Sequence, residues 1–242
     1  MAISRRHLVA SAVAVPLLSA SFEPTPSSRL KIVVTGGHPG DPECGCAGTI
    51  ARYTDLGHEV VLLYMNRGEG FCAGADPTQC GAVRTAEAQK ACQILKARPA
   101  FVGQYDGRPI VDNTHYDDFH RLLSAEKPDI VFSQWPIDHH RDHRALSMLV
   151  LDAWLRDGKK SALYYYEVTD DTMMFSPAEY VDISAPSIQS RRREACYAHA
   201  SQQPDKWYPA QVELTRFRGR ECGSEQAEAF TRHWLSKSAL LP

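Results

Sequence analysis

Four residues in two short segments have the types and spacing to do chemistry: His38 and Asp41 in His38-Pro39-Gly40-Asp41-Pro42-Glu43, and His140 and His143 in Asp138-His139-His140-Arg141-Asp142-His143. Imidazole nitrogen and carboxylate oxygen suit a borderline divalent ion such as Zn²⁺. His38 and Asp41, three residues apart on a tight loop, could grip one ion from two sides, with His143 as a third ligand from elsewhere in the chain. Three such ligands leave one position open for water, which is the arrangement of metal-assisted hydrolysis. Pro39 and Pro42 restrict the loop and reduce the entropy lost when it orders. Asp41 can also cap the helix that follows, and Asp142 suits a partner that fixes a histidine tautomer. His139 is expected to face solvent. An H-x-x-D pair alone is a weak signal; two clusters, each following a buried strand, are a stronger one.

The elements around these segments must bring them together. Apolar, β-branched runs over 30–35 and 129–133 read as buried strands, one ahead of each segment. If they lie side by side in a parallel sheet, both segments emerge at the same carboxyl edge, where open α/β sheets hold ligands. The spacing predicts a helix over 44–56 stopped by Gly57 and a strand over 58–65. A glycine-rich rim loop over 67–81 and a helix over 85–97 come next. Short strands at 101–105, 162–168 and 180–183 alternate with helices at 116–125, 143–155, 188–201 and 225–236. Tyr164, Tyr165 and Tyr166 are expected mostly in the core. This alternation implies an α/β, Rossmann-like three-layer fold with a mainly parallel sheet, as a single domain over 29–242.

The chain has 242 residues, 43% hydrophobic and 23% charged, which allows one large α/β domain. A formal net charge of −2 makes no electrostatic case for nucleic acid. The one basic run, Arg191-Arg192-Arg193, reads as a solvated helix face. Residues 1–28 differ in character. Ser4-Arg5-Arg6 leads into an apolar stretch through Leu18 and small residues at 19–21, the pattern of an export signal of twin-arginine type, followed by a linker. That stretch is short for a bilayer span, which needs about 20 residues. The expected destination is periplasmic or extracellular, where Cys72 could pair with Cys80. Cys44 and Cys46 read as small packing residues. His58, His115, His120, His199 and His233 stand apart from the two clusters, the first three and His233 as surface or packed residues. Gly36, Gly37 and Gly40 lack dinucleotide-loop spacing, and no G-x-S-x-G serine elbow is present.

The run Gly37-His38-Pro39-Gly40-Asp41-Pro42-Glu43-Cys44-Gly45-Cys46-Ala47-Gly48-Thr49-Ile50-Ala51, together with His140-Arg141-Asp142-His143, resembles the LmbE-like (PIG-L) de-N-acetylases. These are zinc-dependent enzymes that remove acetyl groups from N-acetylglucosamine-type amino sugars. The resemblance implies that His38, Asp41 and His143 bind Zn²⁺ or another divalent metal. It also implies that His140, as an imidazolium, stabilises the oxyanion or protonates the leaving amine, with Asp142 orienting it. The family pattern His-Pro-Asp-Asp puts its general base where this chain has Gly40. A general base contributes about 10²–10⁴-fold in rate, so Glu43, or else Asp142 or Glu69, is expected to substitute. The alternatives are a changed reaction on the same metal platform and a catalytically weakened sugar- or nucleotide-binding protein. Aspartate restored at Gly40 should accelerate a chain that lacks its base. Arg67, Arg84 and Asp106, expected at the same sheet edge, could meet sugar hydroxyls or an anionic aglycone of a small-molecule substrate, or serve as plain surface salt bridges.

Overall fold

The computed structural model describes residues 29–70, 72 and 76–242; the expected export signal and linker lie outside them. Seven strands form one sheet: β1 (Lys31–Gly36), β2 (Glu59–Tyr64), β3 (Arg98–Phe101), β4 (Ile130–Gln134), β5 (Ala162–Tyr166), β6 (Glu179–Asp182) and β7 (Ala227–Arg232). Their order is β3-β2-β1-β4-β5-β7-β6. The first five are mutually parallel, and β7 runs antiparallel between β5 and β6. Among the described residues six α-helices connect them: α1 (Asp41–Asp55), α2 (Pro77–Leu95), α3 (Asn113–Glu126), α4 (Arg141–Arg156), α5 (Pro186–Tyr197) and α6 (Tyr208–Cys222). Strand residues alternate strictly between two apolar layers. Ile32, Val34, Leu62, Phe132 and Tyr164 pack under α1, α2 and α5, whereas Val33, Val61, Leu63, Val131 and Leu163 pack under α3 and α4. Burial on both faces explains why these strands are continuous apolar runs. The expected three-layer, mainly parallel fold is the one observed.

Strand β1 pairs with β4 through Ile32–Ile130, Val33–Val131 and Val34–Phe132. Chain direction across the sheet reverses at this pair, and the loops that carry His38-Asp41 and His140-His143 leave it at the same edge. Helix α1 must pack tightly to keep its loop there. A Cβ on Gly45 would meet the Tyr166 ring and lie 2.8 Å from the Glu167 carbonyl.

Several expectations change, and the strand expected over 101–105 lies instead at 98–101. Residues 225–236 are not a helix: 227–232 form β7, because a place between β5 and β6 overrides the helix preference of an Ala/Glu-rich stretch. Helix α6 was not anticipated, since its buried face is carried by Tyr208, Gln211, Thr215, Arg218 and Gly219, mostly polar residues. Helix α2 begins earlier than expected, at Pro77, with Asp76 as a cap accepting from the amides of Thr78 and Gln79, so the rim loop is shorter. Cys72 and Cys80 form a disulfide that ties this loop to the first turn of α2. Arg192 is fully buried, 3.7 Å from the buried Glu228 and over the Tyr208 ring, and so is not part of a solvated face. No helix among the described residues is long and apolar enough to cross a membrane.

Overpacking at the α1–sheet contact should cost about 1–3 kcal/mol. Gly45→Ala is therefore expected to lower the thermal midpoint by several degrees, and an unchanged midpoint would show that α1 can shift without penalty.

Candidate metal centre

The loop after β1 and the loop after β4 meet. Asp41 Oδ2 lies 3.2 Å from His38 Nδ1 and 3.2 Å from His143 Nε2, and those two nitrogens are 3.3 Å apart. Three ligands on a tetrahedral ion with bonds of about 2.0–2.1 Å would be separated by roughly 3.3–3.4 Å. The observed triangle is therefore close to one face of such a tetrahedron, and its donor set suits a divalent metal. The group is able to hold a metal ion.

Each ligand is held from behind. The carboxylate of Asp138, fully buried, lies 3.1 Å from His143 Nδ1, accepts from the His140 amide at 2.7 Å, and takes the Thr172 hydroxyl on its other oxygen. On the far side of His38, Nε2 faces Asp106 at 3.1 Å and Asp142 at 3.2 Å. Asp142 in turn accepts from the Asn66 side chain at 3.0 Å and the Gly107 amide at 2.8 Å. Its carboxylate thus orients His38, where the family resemblance implied His140. Asp138 and Asn66 were not singled out in the sequence. The one signal for Asp138 was its place five residues before His143 in an acidic, histidine-rich run.

His140 is the N-cap of α4 and accepts the Asp142 amide at Nδ1, 3.2 Å away. Burial and the neighbouring His38 and His143 rings lower its proton affinity. With Nδ1 accepting, a neutral ring carries its proton on Nε2. The amino ends of α1 and α4 both point into this centre, adding partial positive charge where an oxyanion would develop.

Burial alone would strip protons from His38 and His143. Asp41 and the flanking carboxylates outweigh it, raising His38 well above the usual range and pushing His143 up to about 9. Against its own burial, Asp106 is held at about 2, chiefly by its hydrogen bond to His38.

The other expected site residues fall in different places. Glu43 is fully buried, receiving the Tyr64 hydroxyl at 2.6 Å and the Gly40 amide at 3.1 Å, with His199 Nε2 3.1 Å away. It closes the first turn of α1 and lines neither cavity at the centre. Arg84 is buried and donates to the carbonyls of Pro39 and Gly68, so it braces two loops while lining both cavities. Asp106 lines the metal cavity beside His38. Arg67 is exposed against Phe101, and Glu69 lines a separate groove with it. His139 is exposed, as expected.

Two cavities adjoin the triangle. One, of about 430 Å³, is walled by His38, Asp41, Arg84, Asp106, His140, His143 and Asp171 among others. The second, of about 260 Å³, shares Asp41, Arg84, Asp171 and Gln202 with it and extends past Gly40 to Cys44, Val168, His199 and Trp207.

Gly40 has φ +110°, a conformation that side-chain-bearing residues rarely adopt. There is space beside it, the nearest atom to an added Cβ being His199 Cγ at 3.8 Å, but the backbone is shaped for glycine. An aspartate here, as the resemblance would have it, would therefore be strained.

The family model described as PIG-L, GlcNAc-PI de-N-acetylase, matches residues 33–154. Among solved structures, the conserved protein TT1542 from Thermus thermophilus is 26% identical with a TM-score of 0.76, over 87% of this chain and 97% of that one. The N,N'-diacetylchitobiose deacetylase from Pyrococcus horikoshii, complexed with its inhibitor MPG, is 23% identical with a TM-score of 0.76, over 85% and 84% of the two chains. GalB, the 4-carboxy-2-hydroxymuconate hydratase from Pseudomonas putida, is 18% identical with a TM-score of 0.73, over 88% and 100%.

Three outcomes are expected here. His38→Ala and His143→Ala should each abolish stoichiometric zinc in the purified protein, and undiminished metal content would contradict the ligand assignment. A cation arriving between the rings must displace protons. Calorimetry in buffers of different ionisation enthalpy should therefore record proton release on zinc binding at pH 7, with affinity falling as pH falls; no release would contradict the charge state described. Gly40→Asp should lose about 1–3 kcal/mol of stability to backbone strain, measured by urea denaturation.

Proposed function

Because the chain belongs to the PIG-L family of de-N-acetylases, we propose that it is a zinc-dependent hydrolase that removes the N-acetyl group from an N-acetylglucosamine-type amino sugar or conjugate. The observation that carries this is the near-tetrahedral face of His38, Asp41 and His143, opening on a cavity that also holds His140. When bound there, zinc supplies Lewis-acid polarisation of the acetamide carbonyl and lowers the pKa of water.

The chain's own groups do the rest. Asp142 and Asp106 hold the His38 ring from behind, and Asp138 holds His143. His140 donates its Nε2–H to the oxygen that gains charge as the tetrahedral intermediate forms, a pre-oriented donor in a partly dry site. Asp106 and Arg84 border the cavity where the sugar hydroxyls would lie. Glu43, tied up by Tyr64 and the Gly40 amide, is poorly placed as the base.

A changed reaction on the same platform is the second reading, favoured by Gly40 in place of the family's base. The similar fold of a protein named as a hydratase is compatible with it. For residues 1–28 the proposal is twin-arginine export, supported by Arg5-Arg6 and the apolar stretch after them. The Cys72–Cys80 bridge is compatible with the oxidising compartment such export would reach.

Acetate release from a panel of N-acetylglucosamine conjugates decides the matter. Release that stops with chelator and returns with zinc is expected. Chelator-insensitive release would remove the metal mechanism, and no release from any conjugate would favour the changed reaction.

A further inference from the structure

We propose that Asp171 is the proton acceptor that replaces the aspartate missing at Gly40. The proposal rests on the hydrolase reading above and adds a residue that reading lacks.

Three carboxylates line the metal cavity among the described residues: Asp41, Asp106 and Asp171. Asp41 contacts both histidine rings. Asp106 contacts His38 Nε2 through one oxygen and receives the Gly70 amide on the other. Asp171 is half-buried, and no hydrogen bond or ion pair reaches its carboxylate among the described residues. It also lines the second cavity, on the side where Gly40 leaves room. His199 lines that second cavity but not the metal cavity.

The position of Asp171 is built, not incidental to a free loop. Its carbonyl accepts the His139 amide at 2.8 Å, and the next residue, Thr172, forms a bridge with Asp138 and donates its hydroxyl to the Asp138 carboxylate. Met173 donates its amide to the Ile137 carbonyl at 2.9 Å. Asp138 is the residue that also sets the His143 ring, so one buried carboxylate fixes both a metal ligand and the backbone carrying Asp171. The glycine therefore opens one wall of the site while an acid is presented from another.

In the reaction, the water oxygen forms a bond to the acetamide carbon as Asp171 takes one water proton. The carbonyl oxygen gains the charge and receives the hydrogen bond from His140. The carbon–oxygen double bond then re-forms, the carbon–nitrogen bond breaks, and the nitrogen takes the proton back from Asp171. Acetic acid and the free amine leave, and Asp171 is again a carboxylate.

The test uses the full-length protein loaded with zinc and the best conjugate from the acetate-release panel, with Asp171→Asn, Asp171→Glu and, as a control on an exposed acid that lines neither cavity, Glu225→Gln. Loss of a base should lower kcat of Asp171→Asn by about 10²–10⁴-fold, with KM within threefold and one zinc still bound per chain. Asp171→Glu should recover at least tenfold of that loss, and Glu225→Gln should match the unsubstituted protein. Asp171→Asn with kcat within threefold of the unsubstituted chain overturns the proposal and leaves the hydrolase reading standing. Loss of zinc or of substrate binding in Asp171→Asn also overturns it, because the residue would then act on the ligands or on binding. If the unsubstituted chain releases no acetate at all, the hydrolase reading fails and this proposal fails with it.

Discussion

The parallel register of β1 on β4 is the constraint on which the rest of the molecule depends. With Ile32 opposite Ile130 and Val34 opposite Phe132, the loops after the two strands begin side by side at the reversal point of the sheet. A slip of one residue would turn every strand side chain to the other face and exchange the two apolar layers. The register thus carries the whole burial pattern of both layers, and the site inherits its geometry from that cooperative packing. Neither ligand loop could hold the triangle of donors alone, because His143 is 105 positions away from His38 in the chain.

Around that register the chain concentrates buried charge of one sign. Asp138 and Asp142 are fully buried, and Asp41 and Asp106 are nearly so, all within reach of His38 or His143. Such an acidic group is costly to bury unless cations sit among the carboxylates. Protonated histidines serve that role electrostatically, and a divalent ion would serve it better. The same arrangement explains why the rings are rigid: each has a carboxylate on both sides. Helix ends contribute as well, since α1 begins at Asp41 and α4 at Arg141, beside the candidate ligands, and the Asp142 amide in the first turn of α4 holds His140 through Nδ1.

Gly40 links backbone shape to chemistry. Its positive φ lets the chain turn into α1 with Glu43 bonded back to the Gly40 amide and Arg84 fastened to the Pro39 carbonyl. The turn is therefore a formed structure with its own supports, not a family loop with one side chain deleted. Another loop, the turn after β5, brings Asp171 to the wall of both cavities.

By itself the sequence determined most of the strands, the two His/Asp segments and the order of most elements, because continuous apolar runs and His/Asp spacing are local properties. It allowed a bridge between Cys72 and Cys80 without deciding it, and the structure forms one. It could not reveal α6, whose inward face is polar, nor β7, whose Ala/Glu composition favours a helix until two neighbouring strands claim it. Arg192 reads as part of a solvated face and His199 as an isolated residue, and their burial comes from elements distant in the chain or from the crowding of α1 against α5. Only the tertiary structure decided which carboxylate meets which ring, that Glu43 is enclosed, and that Asp171 stands at the cavity wall. The physical reason is distance along the chain: propensity and spacing act over a few residues, whereas the partners of a buried charge are chosen by the packing of the whole sheet.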